Sequence, residues 1–198
     1  MNMLYLTKLL LDLKVCRQLQ IRDAYSIHKL VYSCFPLPEN SGNFLYADKG
    51  FAEGVRTILI LSEQAPQIPD FIPAATTELS DHFLDIGQYR FEIVLNPVKR
   101  EKETGKRRAI LGQLPLLQWF MSHAEKWGFA ADENSLEVMT LPALRFKKGE
   151  TEHIFHSVRF RGFLKVTDKT LFCKNLISGI GHGKAFGFGL LQLAPIKK

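Results

Sequence analysis

A histidine and a tyrosine three residues apart form the clearest candidate for chemistry in this chain. Residues 23–35 (DAYSIHKLVYSCF) have helical apolar spacing and predict a helix from Asp23 to Phe35. His28 lies at the edge of the apolar stripe, and Tyr25 projects from the same face. Because imidazole titrates near neutral pH, His28 could act as a general acid or base. The alternative is a structural histidine at the rim of the core. The stripe itself consists of Ala24, Ile27, Leu30, Val31, Cys34 and Phe35.

A glycine-rich segment near the end of the chain is the second candidate. GIGHGKAFGFGLLQLAP (Gly179–Pro195) holds five glycines, His182 and Lys184 within eleven residues. Glycine adopts positive φ readily and lets the backbone approach another group closely. A loop of this kind with a lysine in it suggests phosphate binding, through Lys184 and the backbone around Gly179, Gly181 and Gly183. Ordinary turns and bulges also use glycine, so a purely structural loop is the alternative.

Two more basic segments could contact a polyanion. KREKETGKRRA (Lys99–Ala109) predicts a hairpin or loop, for which the alternative is a solvated excursion; its cations include Arg100, Lys106, Arg107 and Arg108. In VRFRGFLKV (158–166) strand alternation places Arg159, Arg161, Phe163 and Lys165 on one face. Cations beside an aromatic ring suit a nucleic-acid backbone and a stacked base, whereas the alternative is an ordinary exposed strand.

The elements that must position these residues follow a repeated order. Strands at 89–98, 135–146, 153–166 and 186–195 and helices at 114–129 and 168–177 give β-α-β-β-α-β, the ferredoxin-like module. The first half is a looser copy, in which three prolines within 62–75 indicate that the second helix is short or missing. We therefore expect an α+β protein of two tandem ferredoxin-like (RRM-like) domains, residues 1–86 and 87–198, with the catalytic helix in the first and the glycine-rich loop in the second.

Composition narrows the classes of function. The chain has 198 residues and a formal charge of +6, from 26 basic and 20 acidic side chains, which favours a polyanionic partner. Three widely spaced cysteines indicate neither a disulfide framework nor a metal site, and they fit a reducing cytoplasm. The apolar N-terminal segment is too short to span a bilayer, so no membrane role is expected. Neither a phosphate-binding P-loop nor a zinc-protease or serine-hydrolase motif occurs, which favours a mechanism without metal or cofactor.

Five segments together resemble the CRISPR-associated endoribonucleases of the CasE type, the repeat-processing subunits of type I-E systems. These segments are MLYLTKLLL, RDAYSIHKLVYSCFP, NPVK, VRFRGFLKVTD and GIGHGKAFGFGLLQLAP. The resemblance covers nearly the whole chain and implies two ferredoxin-like domains in tandem. It also implies metal-independent cleavage of CRISPR precursor RNA at the 3′ base of the repeat hairpin, with the product retained in the Cascade complex. The implied partners are the repeat hairpin RNA and the other Cascade subunits.

The resemblance also suggests roles for single residues. Tyr25 and His28 match the catalytic tyrosine and histidine, and Lys184 with its glycines matches the signature loop. His182 stands where relatives often lack a histidine, so it is either a second proton-transfer group or a phosphate contact. A rival interpretation is a non-catalytic RNA-binding subunit in which Tyr25 and His28 are a stacking pair. A third is a protein-assembly module whose charge is incidental.

Overall fold

The computed structural model describes residues 3–35, 44–103, 105–148 and 150–196. The first half forms one antiparallel sheet in the order β2-β3-β1-β4. Two helices lie between β1 and β2, and a third follows β4. The elements are β1 (Leu4–Asp12), α1 (Leu13–Gln18), α2 (Ala24–Ser33), β2 (Phe44–Ala52), β3 (Val55–Ser62), β4 (Ala74–Leu79) and α3 (Asp81–Asp85).

The segment between β3 and β4 confirms the expectation that the second helix of the first half is short or missing. Residues 63–73, all of which the structure describes, contain no helix. Proline lacks the N–H that a helix interior needs, and Pro66, Pro69 and Pro73 fall within this stretch. The sequence pattern gives no sign of β4, because most of its side chains are exposed and no apolar alternation marks it. The helix α1 is also unexpected; its N-cap is Asp12, whose carboxylate accepts from the backbone N–H of Val15 at 2.7 Å.

The second half forms a five-stranded antiparallel sheet. Its order is β11-β5-β10-β8, and β9 also pairs with β10, so β8 and β9 share one side of that long strand. The strands β6 and β7 make a separate hairpin. The elements are β5 (Gln88–Leu95), β6 (Val98–Arg100), β7 (Arg107–Ala109), α4 (Gln113–Ala124), β8 (Phe129–Ala131), β9 (Glu137–Lys148), β10 (Thr151–Val166), α5 (Lys169–Ser178) and β11 (Gln192–Pro195). The α+β architecture of two tandem ferredoxin-like domains is thereby confirmed.

Two boundaries in the second half differ from the sequence prediction. The helix predicted to reach Phe129 ends in a 3₁₀ turn, Glu125–Trp127, because Gly128 adopts a left-handed conformation with φ 88°. The strand predicted over 186–195 is shorter in the structure, where β11 begins at Gln192. Gly187 and Gly189 have φ of 85° and 83° and interrupt the extended backbone before it. A 3₁₀ turn, Lys184–Phe186, precedes them.

Two hydrophobic clusters hold the structure together. One lies in the first half, between its sheet and α2. The larger one combines the core of the second half with a few residues of β1, β2, β3 and α3, so apolar contact joins the two halves. Burial of this surface fixes where α2 sits relative to the glycine-rich loop. The first-half residues that enter the larger cluster are Leu4, Leu45, Ala47, Leu61 and Leu84.

Candidate active site

The helix α2 presents His28 at the rim of the core, as its spacing predicts. A capping box begins the helix: Asp23 accepts from the backbone N–H of Ser26 at 2.8 Å, and the Ser26 hydroxyl accepts from the backbone N–H of Asp23 at 3.0 Å. The predicted stripe faces the first-half cluster, in which Ile27 and Val31 are fully buried. His28 is half-buried beside them. The cap and the stripe together fix the direction in which His28 projects.

The imidazole of His28 contacts the glycine-rich loop of the other half. Its Nδ1 lies 2.7 Å from the carbonyl oxygen of Ala185. A carbonyl oxygen only accepts hydrogen bonds, so Nδ1 carries a hydrogen and donates it. In the neutral ring this leaves the lone pair on Nε2. The contact therefore selects the ring nitrogen that is available for proton transfer.

Aromatic rings surround the imidazole and restrict its orientation. Tyr25 stacks with its ring centroid 5.8 Å away at 16°, which confirms that it shares the face of His28. Phe186 stacks from the loop at 5.3 Å, and Tyr32 contacts the ring at 4.0 Å. The ammonium of Lys29 lies 5.2 Å from the Tyr25 ring centroid. Three rings from two parts of the chain thus hold His28 in place.

Tyr46 is a site residue that sequence patterns do not reveal. Its hydroxyl donates to the Ala185 carbonyl at 3.0 Å, the same oxygen that accepts from His28. The ring is buried, and burial first, then the charge of Asp48, raises the pKa of the Tyr46 hydroxyl well above its usual range. Tyr46 therefore remains a neutral donor. In the sequence it is one apolar position of a strand, and only the tertiary contact distinguishes it.

The glycine-rich loop has the backbone conformation that its composition predicts. All five of its glycines have positive φ. A Cβ on Gly189 would lie 2.3 Å from the carbonyl oxygen of Ile180, so this position also needs the missing side chain. Among the described residues, the backbone N–H groups of Gly181, His182 and Gly183 donate to no acceptor. Consecutive free N–H groups of this kind can bind an anion.

Lys184 makes a contact within the loop region. Its ammonium donates to the carbonyl oxygen of Ser178 at 2.7 Å, in the last turn of α5. A cation at this end of a helix satisfies a free carbonyl and interacts favourably with the helix dipole. Gly179, which follows as the C-cap, lies against Leu45 of the first half. Lys184 therefore has a structural role that the loop composition does not predict.

The basic hairpin lies near the glycine-rich loop. Burial first, then the positive charges of Arg107 and Lys184, lower the pKa of His182. The hairpin itself confirms the prediction for Lys99–Ala109. Arg100 donates to the carbonyl oxygen of Gly105 at 3.1 Å, and Arg108 pairs with Glu101. Lys106 lies in the same turn and Arg107 begins β7. The charge of Arg107 on the hairpin thus acts on His182 of the glycine-rich loop.

The outward face of β10 matches the predicted alternation. Val158, Phe160 and Leu164 are buried, whereas Arg161 and Lys165 are exposed and Arg159 is half-buried. The arginines have acidic neighbours that the sequence reading does not anticipate. The Nε of Arg159 lies 3.5 Å from a Glu92 oxygen, and Arg161 donates to Glu137 at 2.6 and 2.8 Å. These two positions are therefore less basic than the strand sequence alone indicates.

Metal-ligating clusters and membrane-spanning helices are both absent from the described part of the chain. No group of three or more histidine, cysteine, aspartate or glutamate side chains there could hold a metal ion. No helix of the described residues is long and apolar enough to cross a membrane.

The family model described as CRISPR associated protein matches residues 4–195. The chain belongs to this family. It is 26% identical over 193 residues to the CRISPR system Cascade subunit CasE of Escherichia coli K12, which covers 88% of this chain and 94% of that protein. It is 34% identical over 116 residues to the CRISPR-associated endoribonuclease Cse3 of Thermus thermophilus. That second match spans only about half of each protein, 54% of this chain and 55% of the relative.

Solved structures show the same fold within the CRISPR-associated family. Thermus thermophilus Cse3, bound to an RNA that represents a pre-cleavage complex, is 25% identical with a TM-score of 0.81, covering 97% of this chain and 99% of the other. Cas6e from Escherichia coli K-12 is 21% identical with a TM-score of 0.74, covering 97% and 100%. The arrangement of both halves is therefore that of solved CRISPR proteins.

Proposed function

We propose that this protein is an endoribonuclease that cleaves CRISPR precursor RNA at the 3′ base of the repeat hairpin and retains the mature guide RNA. The observation that carries the proposal is the bond from His28 to Ala185, which brings a candidate proton-transfer group onto an anion-binding loop. The relatives support the activity, since one is named an endoribonuclease and has been solved with RNA. Cleavage proceeds by attack of a 2′-hydroxyl on the adjacent phosphorus.

His28 supplies the proton transfer at the attacking oxygen. With Nδ1 donating to Ala185, the Nε2 lone pair takes the proton of the 2′-hydroxyl as the 2′-oxygen bonds to phosphorus. The bond from phosphorus to the 5′-oxygen breaks, and that oxygen takes up a proton from water, while His28 releases the proton it accepted to the solvent. The products are a 2′,3′-cyclic phosphate, or the 3′-phosphate after its hydrolysis, and a 5′-hydroxyl. Tyr25, stacked on the imidazole, orients the histidine or the sugar.

The loop stabilises the phosphate on which charge develops. The N–H groups of Gly181, His182 and Gly183 lie beside the Ala185 turn that holds His28, and the ammonium of Lys184, which bonds to Ser178 in the free protein, moves to the phosphate when RNA binds. Donors aimed at developing negative charge are the usual electrostatic contribution to such a reaction. No metal ion takes part in this mechanism, because the histidine provides the base, and the lysine and the backbone donors provide the charge stabilisation.

The proposed partners are the repeat hairpin RNA and the other Cascade subunits. The Escherichia coli relative is named as a Cascade subunit, and a similar chain belongs to a solved RNA-guided surveillance complex. The basic hairpin near the loop adds phosphate contacts for the RNA stem. We place the protein in the cytoplasm, where it would meet the transcript, and its three free cysteines fit a reducing compartment.

We also propose a division between residues 86 and 87. All strands of the first sheet precede this point and all strands of the second follow it. The first domain contributes the helix with Tyr25 and His28, and the second contributes the glycine-rich loop.

One experiment tests the activity and its mechanism together. Repeat RNA is incubated with the protein in excess EDTA, and the product ends are analysed. We expect cutting to persist and to leave a 5′-hydroxyl, whereas the same RNA with a 2′-deoxy nucleotide at the cleavage position should stay intact. The substitution His28→Ala should slow single-turnover cleavage by about 10²- to 10⁴-fold while binding changes far less.

Two results of this experiment would contradict the proposal, and each would contradict a different part of it. Cutting that returns only with Mg²⁺ or Mn²⁺ would remove the metal-independent mechanism. Tight binding of repeat RNA without any cleavage would favour the non-catalytic RNA-binding subunit, in which the ring contacts of Tyr25 and His28 serve stacking.

A further inference from the structure

The second sheet has an exposed row that joins an arginine to an aromatic ring. Arg90 on β5 lies directly opposite Phe163 on β10, and on its other side Arg90 faces Ala194 of β11. Phe163 is 44% exposed, whereas Phe160 and Leu164 of the same strand are buried on its opposite face. The small side chain of Ala194 leaves space above the sheet. The row thus presents a free ring face beside a guanidinium.

The cations of this face are available to a ligand. Among the described residues neither Arg90 nor Lys165 pairs with a carboxylate. Arg161 does pair with Glu137, but both side chains are about half exposed or more, at 49% and 62%. An exposed ion pair of this kind is worth little, so its guanidinium can exchange the carboxylate for a phosphate. The face therefore attracts anions despite the glutamates on it.

A groove lies over this row, next to a second cavity. Its volume is about 580 Å³, and Arg90, Arg161 and Phe163 line it. A second cavity of about 420 Å³ is lined by Ala24 and Ile27 of α2 and by Phe186 of the loop. The two cavities share Lys49, Glu92 and Gln192 in their walls. Lys49 donates to both Glu92 and Gln192, so these three side chains form a wall between the groove and the cavity beside α2.

We propose that the Arg90–Phe163 row binds the single-stranded RNA on the 5′ side of the hairpin. A ring with neighbouring cations fits an unpaired nucleotide, whose base stacks on the aromatic face while its phosphate meets the guanidinium. A paired stem does not offer its base faces in this way. The inference rests on the proposed cleavage at the 3′ base of the hairpin, because that cut removes the 3′ flank and leaves the 5′ flank attached to the retained product.

The test compares hairpins with and without a 5′ single-stranded extension. Each RNA carries a 2′-deoxy nucleotide at the cleavage position, and affinities are measured by titration of the full-length protein. Phe163→Ala and Arg90→Gln each remove one part of the row. The matched control is Phe51→Ala: Phe51 is 50% exposed and lies opposite an arginine, Arg56, but Asp48 pairs with that arginine. A single-stranded oligonucleotide is titrated in parallel, so that the row is tested independently of the hairpin.

The extension should strengthen wild-type binding, and Phe163→Ala should weaken binding of the extended RNA by about 5- to 150-fold while that of the bare hairpin is unchanged. Phe51→Ala should match the wild type. Equal affinities for both RNAs, or an extension effect that survives Phe163→Ala and Arg90→Gln, would overturn the inference. So would variants that bind RNA normally but fail to join other Cascade subunits, since the row would then be a protein interface. Failure of the wild type to cut the all-ribose hairpin, with the extension effect and its loss in Phe163→Ala still present, would instead contradict the proposed function and leave this inference standing.

Discussion

His28 and Tyr46 donate hydrogen bonds to one oxygen, the backbone carbonyl of Ala185, at 2.7 and 3.0 Å. His28 lies on α2 at the edge of the core and Tyr46 lies on β2 within it, and both belong to the first half of the chain. Their acceptor belongs to the second half. The proton-transfer nitrogen of the proposed mechanism is therefore selected by a contact between the two halves and not by α2 alone.

Tyr46→Phe should slow cleavage without weakening RNA binding. The substitution keeps the buried ring and removes one neutral hydrogen bond to Ala185, worth about 1 kcal/mol, so the single-turnover rate should fall by up to about tenfold. The bond from His28 to Ala185 becomes less firmly fixed, and ¹⁵N NMR of the imidazole should show a smaller fraction of the Nδ1–H tautomer. Tyr32→Phe is the control, because Tyr32 contacts the same ring at 4.0 Å without bonding to Ala185. Equal effects of both variants would contradict a positioning role.

Lys184→Met should change both stability and the salt dependence of RNA binding. The ammonium bonds to Ser178 in the free protein, so its loss should cost about 1 kcal/mol of unfolding free energy, measured by denaturant titration. If the ammonium moves to a phosphate on binding, the slope of log K against log salt should become shallower by about 0.7–0.9. The control is Lys174→Met, which removes an exposed lysine from α5, the helix that ends at Ser178. The same slope change in both variants would remove Lys184 from the phosphate site.

His182 should contribute to RNA affinity mainly at acidic pH. Burial and the charges of Arg107 and Lys184 lower its pKa from the ordinary histidine value of about 6.5, so in the free protein it is charged to a smaller extent than an ordinary histidine at the same pH. A phosphate beside it would raise that pKa, and a group with a higher pKa in the complex strengthens binding as the pH falls. The difference in RNA affinity between the wild type and His182→Gln should therefore grow as the pH is lowered through about 6.5. A difference that is constant with pH would show that His182 does not contact phosphate through its charge.

Gly189→Ala should destabilise the fold far more than Gly50→Ala. Both glycines have positive φ, at 83° and 73°, so each alanine carries a backbone strain of about 1–2 kcal/mol. A Cβ at Gly189 would also lie 2.3 Å from the Ile180 carbonyl oxygen, whereas a Cβ at Gly50 meets nothing within 4 Å. Thermal unfolding of the two variants measures the difference. Similar melting temperatures would mean that the loop backbone shifts readily and does not hold the Ala185 turn.

Local patterns predicted most of the elements because their causes lie close together in the chain. The apolar spacing of α2 and the alternation of β10 each depend on neighbours within a few residues. The glycines of the loop likewise predicted positive φ, which all five adopt. The patterns were wrong where a local preference met a different constraint: extended backbone was predicted from residue 186, but Gly187 and Gly189 delay β11 until Gln192.

The sequence by itself therefore determined the ferredoxin-like halves, the placement of Tyr25 beside His28 and the loop with Lys184. Only the tertiary structure decided what these groups contact. The bond to Ala185 spans 157 residues, and the hydroxyl of Tyr46 reaches the same carbonyl across 139. The pairing of Lys184 with Ser178 and of Arg159 with Glu92 likewise depends on how the elements pack. Burial of the shared core sets these distances, and no local pattern records them.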